Sequence, residues 1–362
     1  MKRILLILTV LALPVLVVSE NLNVASPYSR YGYGDLQPMS VGPAKSMGGL
    51  GYGIRDHRFI NPMNPASYSS IDSLTFMMNF ALSGTVNGIS NGSQVYNQFR
   101  GKVDYVTFQF PVYKFIGLSF GIMPFSCVGY KYSQTDSIPD VTLPGENTPV
   151  KQSFEGSGGF TQVYLGISFD IMNRVSVGVN GRYMFGEISH TRNATFENKQ
   201  IFNATRQSHY MNVSSFLCDL GLLYHQPIKK DELVIGATYS FKLPMPMTSQ
   251  IVTQTNSQVT DDSKYDFDYP MTVGVGVSYK FLDKVVEGVD FEWRDWSNAR
   301  YFSVSDTLRT TYRIAAGVEY VNKPGSKKYG ENLRYRLGFN YGKSYTRING
   351  YSYDEFAITA GL

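Results

Sequence analysis

The stretch MTVGVGVSYKF at residues 271–281 alternates apolar residues with small or polar ones at every second position. Residues 175–185 (VSVGVNGRYMF) and 333–341 (LRYRLGFNY) follow the same rule. A period of two places successive side chains on opposite faces of a β-strand. The same alternation recurs at residues 163–169, 233–241, 289–293, 312–320 and 356–362. The sequence therefore predicts an all-β protein whose strands have one apolar face, often ending in aromatic residues, and one polar face.

The composition excludes several classes of protein. Only 17% of the 362 residues are charged, against about a quarter in a typical soluble domain. The mean hydropathy of -0.17 is too low for a bundle of membrane helices. A net charge of +4 is too small for nucleic-acid binding driven by phosphate neutralisation. Two Cys and four His, none at metal-ligand spacing, give neither a disulfide scaffold nor a metal centre. We expect no cofactor and no nucleic-acid partner.

The N-terminus has the pattern of a secretory signal peptide. Met1-Lys2-Arg3 is basic, and residues 4–18 form an apolar run interrupted only by Thr9 and Pro14. This run is too short to span a bilayer comfortably, but it suits the apolar region of a signal peptide. We predict a signal peptide at residues 1–19, and therefore export of the mature chain.

Export changes the interpretation of the alternating strands. In a soluble β-protein the apolar face is the core, whereas in a transmembrane β-barrel it meets lipid and the polar face lines the lumen. The connections alternate between short turns and long polar loops, which is typical of outer-membrane barrels. The short turns are at residues 111–114, 171–173 and 282–284, and the long loops are around residues 133–150, 190–206 and 243–268. We therefore predict a transmembrane antiparallel β-barrel in the bacterial outer membrane, with an exported soluble β-protein as the alternative.

The turns divide residues 71–362 into about twelve strands. Their predicted positions are 73–89, 94–110, 115–132, 150–170, 175–188, 206–225, 232–243, 265–281, 285–297, 308–321, 332–346 and 351–362. The chain stops at Ala360-Gly361-Leu362, whereas outer-membrane barrels usually end on an aromatic residue. We expect the sequence to be truncated at its C-terminus, before a final hairpin.

Residues 20–70 precede the first strand and are rich in Gly, Pro, Ser and Asn. So long an irregular segment is unsuited to the wall, and we expect it to form a hatch inside the lumen. It contains SPYSRYGYGDL at residues 26–36 and the triplet Asn64-Pro65-Ala66. Both motifs resemble the FadL-type outer-membrane transporters of long-chain fatty acids and other hydrophobic compounds, in particular their Bacteroidota branch. The resemblance implies fourteen strands, an N-terminal hatch and passive uptake of hydrophobic molecules.

The resemblance also points to the third strand, which is kinked inward in this family and opens a lateral gap to the bilayer. Here that strand is FIGLSFGIMPF at residues 115–125. Pro124 cannot donate a hydrogen bond to the strand ladder, so it interrupts pairing. We expect a bend at residues 123–125 with the triplet Asn64-Pro65-Ala66 close to it, although an ordinary strand irregularity is the alternative.

Six residues are candidates for ligand binding. They are Met63, Phe76, Met123, Phe125, Arg334 and Arg336. The first four are apolar and adaptable, and the two arginines have the geometry to hold a carboxylate head group. Charged side chains facing lipid are costly, so all strand charges should point inward. The alternative, which we favour, is that Arg334 and Arg336 pair with wall carboxylates such as Asp290 and Glu292 and hold the hatch.

The sequence contains no supported catalytic constellation, because the four His residues have no partner pattern. We therefore expect no enzyme. The main hypothesis is a monomeric outer-membrane channel with membrane lipid and a hydrophobic small molecule as its partners. The alternatives are a non-transporting barrel subunit or plug of a secretion machine, of type IX or similar, and a structural surface barrel.

Overall fold

The computed structural model describes residues 26–90, 95–139, 147–196, 204–255, 257–305, 307–348 and 350–362, so the predicted signal peptide lies outside the described residues. These residues form eighteen β-strands and one short helix, α1 (Pro43–Ser46). In chain order the strands are β1 (Asp35–Leu36), β2 (Met77–Ser90), β3 (Val95–Tyr113), β4 (Ile116–Pro124), β5 (Ser126–Pro139), β6 (Asn147–Ile171), β7 (Val175–Phe196), β8 (Thr205–Ile228), β9 (Asp231–Ser240), β10 (Leu243–Pro244), β11 (Met247–Gln254), β12 (Gln258–Tyr265), β13 (Asp268–Tyr269), β14 (Thr272–Phe281), β15 (Val285–Arg294), β16 (Thr311–Val321), β17 (Arg334–Lys343) and β18 (Asp354–Gly361).

One antiparallel sheet forms the wall. Its twelve strands lie side by side in the order β2-β3-β4-β6-β7-β8-β9-β14-β15-β16-β17-β18. Strand β5 continues the line of β4 and pairs with β6. Each of the twelve predicted strand positions corresponds to one of these wall strands. The prediction of an all-β barrel architecture is confirmed.

The two ends of this sheet are edges. Among the described residues, β2 pairs only with β3, and β18 pairs only with β17. The ladder is therefore open between the first and the last wall strand in this part of the chain. The expected further hairpin stays a prediction.

The connection at residues 243–268 was expected to be a polar loop, and this expectation is wrong. It contains a hairpin, β11 and β12, with Met247 opposite Tyr265. Strand β11 also pairs with the upper part of β8, from Arg206 to Val213. Strand β8 can accept this partner because it is 24 residues long, well beyond the 10 residues of β14. The sheet therefore rises above the barrel on this side.

The two faces of the wall are inverted relative to a soluble protein. On the outer face, apolar side chains such as Val275 and Phe291 are exposed. On the inner face, Arg182 and Asp219 are buried and form an ion pair of 2.6 Å across β7 and β8. Arg182 and Asp219 can be tolerated inside because each neutralises the other, whereas facing lipid they would cost a few kcal/mol each. The alternation in the sequence thus has the membrane-protein orientation.

The segment before β2 packs inside the wall as the hatch. Its backbone approaches the wall so closely that the strands need glycine at the contacts. A Cβ on Gly338 would lie 2.0 Å from the backbone N of Gly48, and one on Gly236 would lie 1.8 Å from the carbonyl O of Tyr52. Any larger residue at these positions would push the hatch away from the wall.

Candidate functional site

The third wall strand is broken at the predicted position. Strand β4 pairs with β3 as far as Ile122 opposite Val106, and with β6 as far as Pro124. Beyond the break, β5 pairs with β6 and with the hatch strand β1. Among the described residues, the part of β3 before Val106 pairs only with β2. A gap therefore separates β3 from β5 on the side of the long loops.

The hatch replaces the lost strand partner at this break. The Phe125 backbone N donates to the Phe160 carbonyl at 2.8 Å, while the Phe125 carbonyl accepts from the Gln37 backbone N at 2.8 Å. Leu36 is paired with Ser126 in the same register. Because Pro124 has no N–H, the strand cannot continue its ladder with β3. Its carbonyls turn to the hatch, which meets the requirement for satisfied backbone groups in a membrane.

A small recess of about 20 Å³ lies at the inner side of the gap. Its apolar side includes Tyr105 and Met123. Its polar side holds an ion cluster, in which Lys45 Nζ lies 2.6 Å and Lys102 Nζ 3.5 Å from the Asp104 carboxylate. The Lys45–Asp104 pair joins helix α1 of the hatch to β3. The recess is therefore amphipathic, and the hatch forms part of it.

The structure does not bring the four apolar candidates together. Met123 packs in a cluster with Tyr68, Tyr105 and Tyr164, whereas Phe125 belongs to a separate, larger cluster under the long loops. Met63 is buried in the hatch against Gly51.

Phe76 does not lie where the expected ligand site would need it. It is 65% exposed and its ring lies 6.0 Å from that of Phe108 on the outer face, so it faces lipid and lines no internal pocket. The sequence contained the signal, because Phe76 starts the outward series that continues with Met78, Phe80 and Leu82.

Arg334 and Arg336 both bind the buried carboxylate of Glu319, with N–O distances of 2.7 Å each. Arg58 of the hatch lies 3.1 Å from the same carboxylate and also pairs with Asp56. The two arginines thus have a protein carboxylate as partner, which is the structural alternative, although the partner is Glu319 rather than Asp290 or Glu292. Asp290 instead accepts from hatch backbone, with the N of Gly51 at 2.6 Å.

Asn64 caps a short 3₁₀ segment, Pro65–Ser70, and the triplet Asn64-Pro65-Ala66 lies against β7 and β8. Asn64 Nδ2 donates to the carbonyls of Tyr52 at 2.7 Å and Leu222 at 3.2 Å. The expectation that this triplet lies beside the bend is wrong, because Gln37 and β1 occupy that place. The triplet instead fixes one hatch turn to β7 and β8.

Tyr33, inside the motif at residues 26–36, forms an aromatic plug that was not predicted from the sequence. Tyr33 is 1% exposed and lies among the rings of Phe160, Phe267 and Trp296. Its backbone N donates to Tyr345 Oη at 2.9 Å, and Tyr345 Oη donates to the Gly34 carbonyl at 2.6 Å. The plug fills the space under the long loops.

No helix in the described part of the chain is long and apolar enough to span a membrane. Within the same ranges, no three His, Cys, Asp or Glu side chains are grouped so that they could hold a metal ion.

Comparison with known proteins shows a family and a fold. The family model BamG matches residues 1–362. Among solved structures, the CymD monoaromatic hydrocarbon channel is similar with a TM-score of 0.56 and 13% identity, over 91% of this chain and 89% of that one. A FadL homologue from Pseudomonas aeruginosa gives a TM-score of 0.57 and 13% identity, over 86% and 82%. A search of curated proteins found no match. The wall and hatch thus have the fold of FadL-type barrels.

Proposed function

Since the chain belongs to the BamG family and has a FadL-type fold, we propose that it is an outer-membrane channel for passive uptake of hydrophobic molecules. The proposal rests on one observation, the break at Pro124 that separates β5 from β3 beside the hatch. A molecule entering under the long loops meets the hatch, whose backbone touches wall glycines. The exit that requires the least rearrangement is sideways, through the gap into the bilayer.

We infer the class of molecule from the side chains around the recess, which would have to widen to let a ligand pass. Bare hydrocarbons would suit Tyr105 and Met123 but would have to pass Lys45, Lys102 and Asp104. An amphiphile with one negative charge suits both sides, because two ammonium groups face one carboxylate there. Long-chain fatty acids have this chemistry, whereas CymD is described as a channel for monoaromatic hydrocarbons. We therefore favour fatty acids as the substrate, and we assign no catalytic step.

Substitution of Pro124 by Val tests the lateral route. If the β3–β4 register continued beyond Ile122 opposite Val106, position 124 would face Asp104 of β3, and a residue with an N–H there could extend the ladder and narrow the gap. We expect slower uptake of a fluorescent long-chain fatty acid into vesicles containing P124V than into vesicles containing the wild type. The matched control is Pro111→Val, which changes a strand proline at another register irregularity. Unchanged uptake by folded P124V would contradict lateral release.

A second candidate function is a non-transporting subunit or plug of a larger machine. The observation that favours it is the number of points at which the hatch is fixed. Besides Arg58, Arg55 lies 3.3 Å from Asp170, and Arg313 donates to the Gly48 carbonyl at 2.5 Å. An experiment can distinguish the two functions. A subunit should co-purify with a large partner barrel, and vesicles that contain it should take up fatty acid no faster than vesicles without protein. Fatty-acid uptake by the isolated protein would exclude a purely structural role.

A further inference from the structure

The short-turn end of the barrel has an unusual charge pattern. Five connections between described wall strands lie at this end, four of two or three residues and one of twelve, and each contains at least one exposed basic residue. They are Lys114, Arg174, Lys229, Lys230, Lys284, Lys323, Lys327 and Lys328. The same connections contain only two acidic residues, Asp283 and Glu331.

The opposite end of the barrel differs. The described parts of the connections there, at residues 241–255, 257–271, 295–305, 307–310, 344–348 and 350–353, contain five basic and five acidic residues. Positive charge is therefore concentrated at the short-turn end.

These basic residues alternate with exposed apolar ones. Lys114 stands between Tyr113 and Phe115, both exposed. Met172, which is 90% exposed, precedes Arg174 in the next turn. Tyr329, 84% exposed, directly follows Lys328. Apolar and aromatic side chains beside Lys and Arg are the pattern found at membrane interfaces, where the ring enters the acyl boundary and the ammonium reaches the head groups. An acidic protein docking on the rim would not require the exposed apolar side chains.

The height of the wall places this end at the head-group level. Strand β14 has 10 residues, which at about 3.4 Å each and a tilt near 40° cover roughly 25 Å of bilayer. This equals the apolar band of an outer-membrane barrel. The short turns that adjoin β9, β14 and their neighbours thus emerge where the phosphate groups of the adjacent leaflet begin.

We propose that the short-turn rim is a binding surface for anionic phospholipid head groups of the leaflet it faces. The positive ring supplies the charge complementarity, and the apolar side chains between the basic ones fix the rim at the interface. The proposal needs the barrel to be in a bilayer, but it is independent of whether the protein transports anything.

The test compares lipids retained by the full-length protein. The protein is reconstituted in equimolar phosphatidylglycerol and phosphatidylcholine with matched acyl chains, extracted in mild detergent, and its bound lipids are counted by native mass spectrometry. We expect an enrichment of phosphatidylglycerol of about fivefold over phosphatidylcholine at low salt, and its loss at high salt.

A matched pair of variants locates the effect. Replacement of Lys230, Lys284 and Lys327 by Gln removes one charge from each of three short turns and should bring the enrichment close to one. Replacement of Lys131, Lys151 and Lys264, exposed toward the other end, should leave it unchanged. Equal retention of both lipids by the wild type, or equal loss in both variants, would overturn the proposal. Salt-sensitive capture of an acidic periplasmic protein without lipid preference would also overturn it.

Discussion

Substitution of Glu319 by Gln should loosen the hatch. The Glu319 carboxylate is buried and holds Arg334, Arg336 and the hatch residue Arg58 at 2.7, 2.7 and 3.1 Å. Without its charge, three guanidinium groups face each other with only Asp56 to compensate, so an attraction between hatch and wall becomes a repulsion. Removing one partner of a buried ion pair costs about 3–5 kcal/mol. Because Arg58 is partly exposed, we take about 3 kcal/mol, the lower end of that range. This corresponds to a roughly hundredfold larger population of barrels with a loosened hatch.

Ion conductance in planar bilayers measures this population, since a displaced hatch leaves the lumen open to ions. E319Q should show frequent opening events where the wild type shows rare ones. The matched control is Glu331→Gln, in a surface turn where Glu331 pairs with Lys323 at 3.4 Å. Such exposed pairs contribute about 0–1 kcal/mol, so its conductance should equal that of the wild type. Wild-type conductance in a folded E319Q barrel would refute the idea that this cluster holds the hatch.

Three further predictions concern the close contacts of the hatch and the upper strands. Gly338→Ala should lower the stability of the barrel by about 1–3 kcal/mol, because the new Cβ overlaps hatch backbone. Gly101→Ala is the control and should not change the stability, because no atom lies within 4 Å of its new Cβ. The measurement is the temperature at which each barrel loses the electrophoretic mobility of the folded form. Tyr33→Ala should cost about 3–5 kcal/mol by emptying the aromatic plug, and should speed fatty-acid uptake in vesicles if the plug limits entry. Burial, with smaller effects of His209 and Arg30, lowers the pKa of His190 to about 4 in the part of β7 above the membrane. Between about pH 6.5 and 4 the unfolded chain therefore binds more protons than the folded chain, so the folded state loses stability as the pH falls. The strands near His190, toward the long loops, should become less resistant to proteolysis as the pH is lowered through this range. The loss should be smaller in His190→Gln.

Much of the fold was predictable because alternation is a local property. A period of two, found in eight stretches of the sequence, predicts strands and their inward and outward faces, as Val275 and Arg182 show. The break at Pro124 was predictable for the same reason, since a missing N–H acts on its immediate neighbours.

The contacts between hatch and wall were not predictable from local pattern. The partner of Arg334 and Arg336 depends on the register that places Glu319 opposite Arg336, and that register follows a 12-residue turn, residues 322–333. The triplet at Asn64 meets Gly221, more than 150 positions away in the chain. Such pairs depend on how the hatch folds back inside the barrel, and no short motif encodes this.

The most direct test of lateral release locks the hatch to the broken strand. Leu36 and Ser126 are opposite each other in the β1–β5 register, at the separation of neighbouring strands that suits a disulfide. Cysteines at both positions, with the native Cys127 and Cys218 changed to Ser, allow reversible locking. Uptake of fatty acid into vesicles should be slow for the oxidised protein and return to the rate of the unlocked protein on reduction. Equal uptake by the oxidised and reduced forms would contradict a route past the hatch at Pro124.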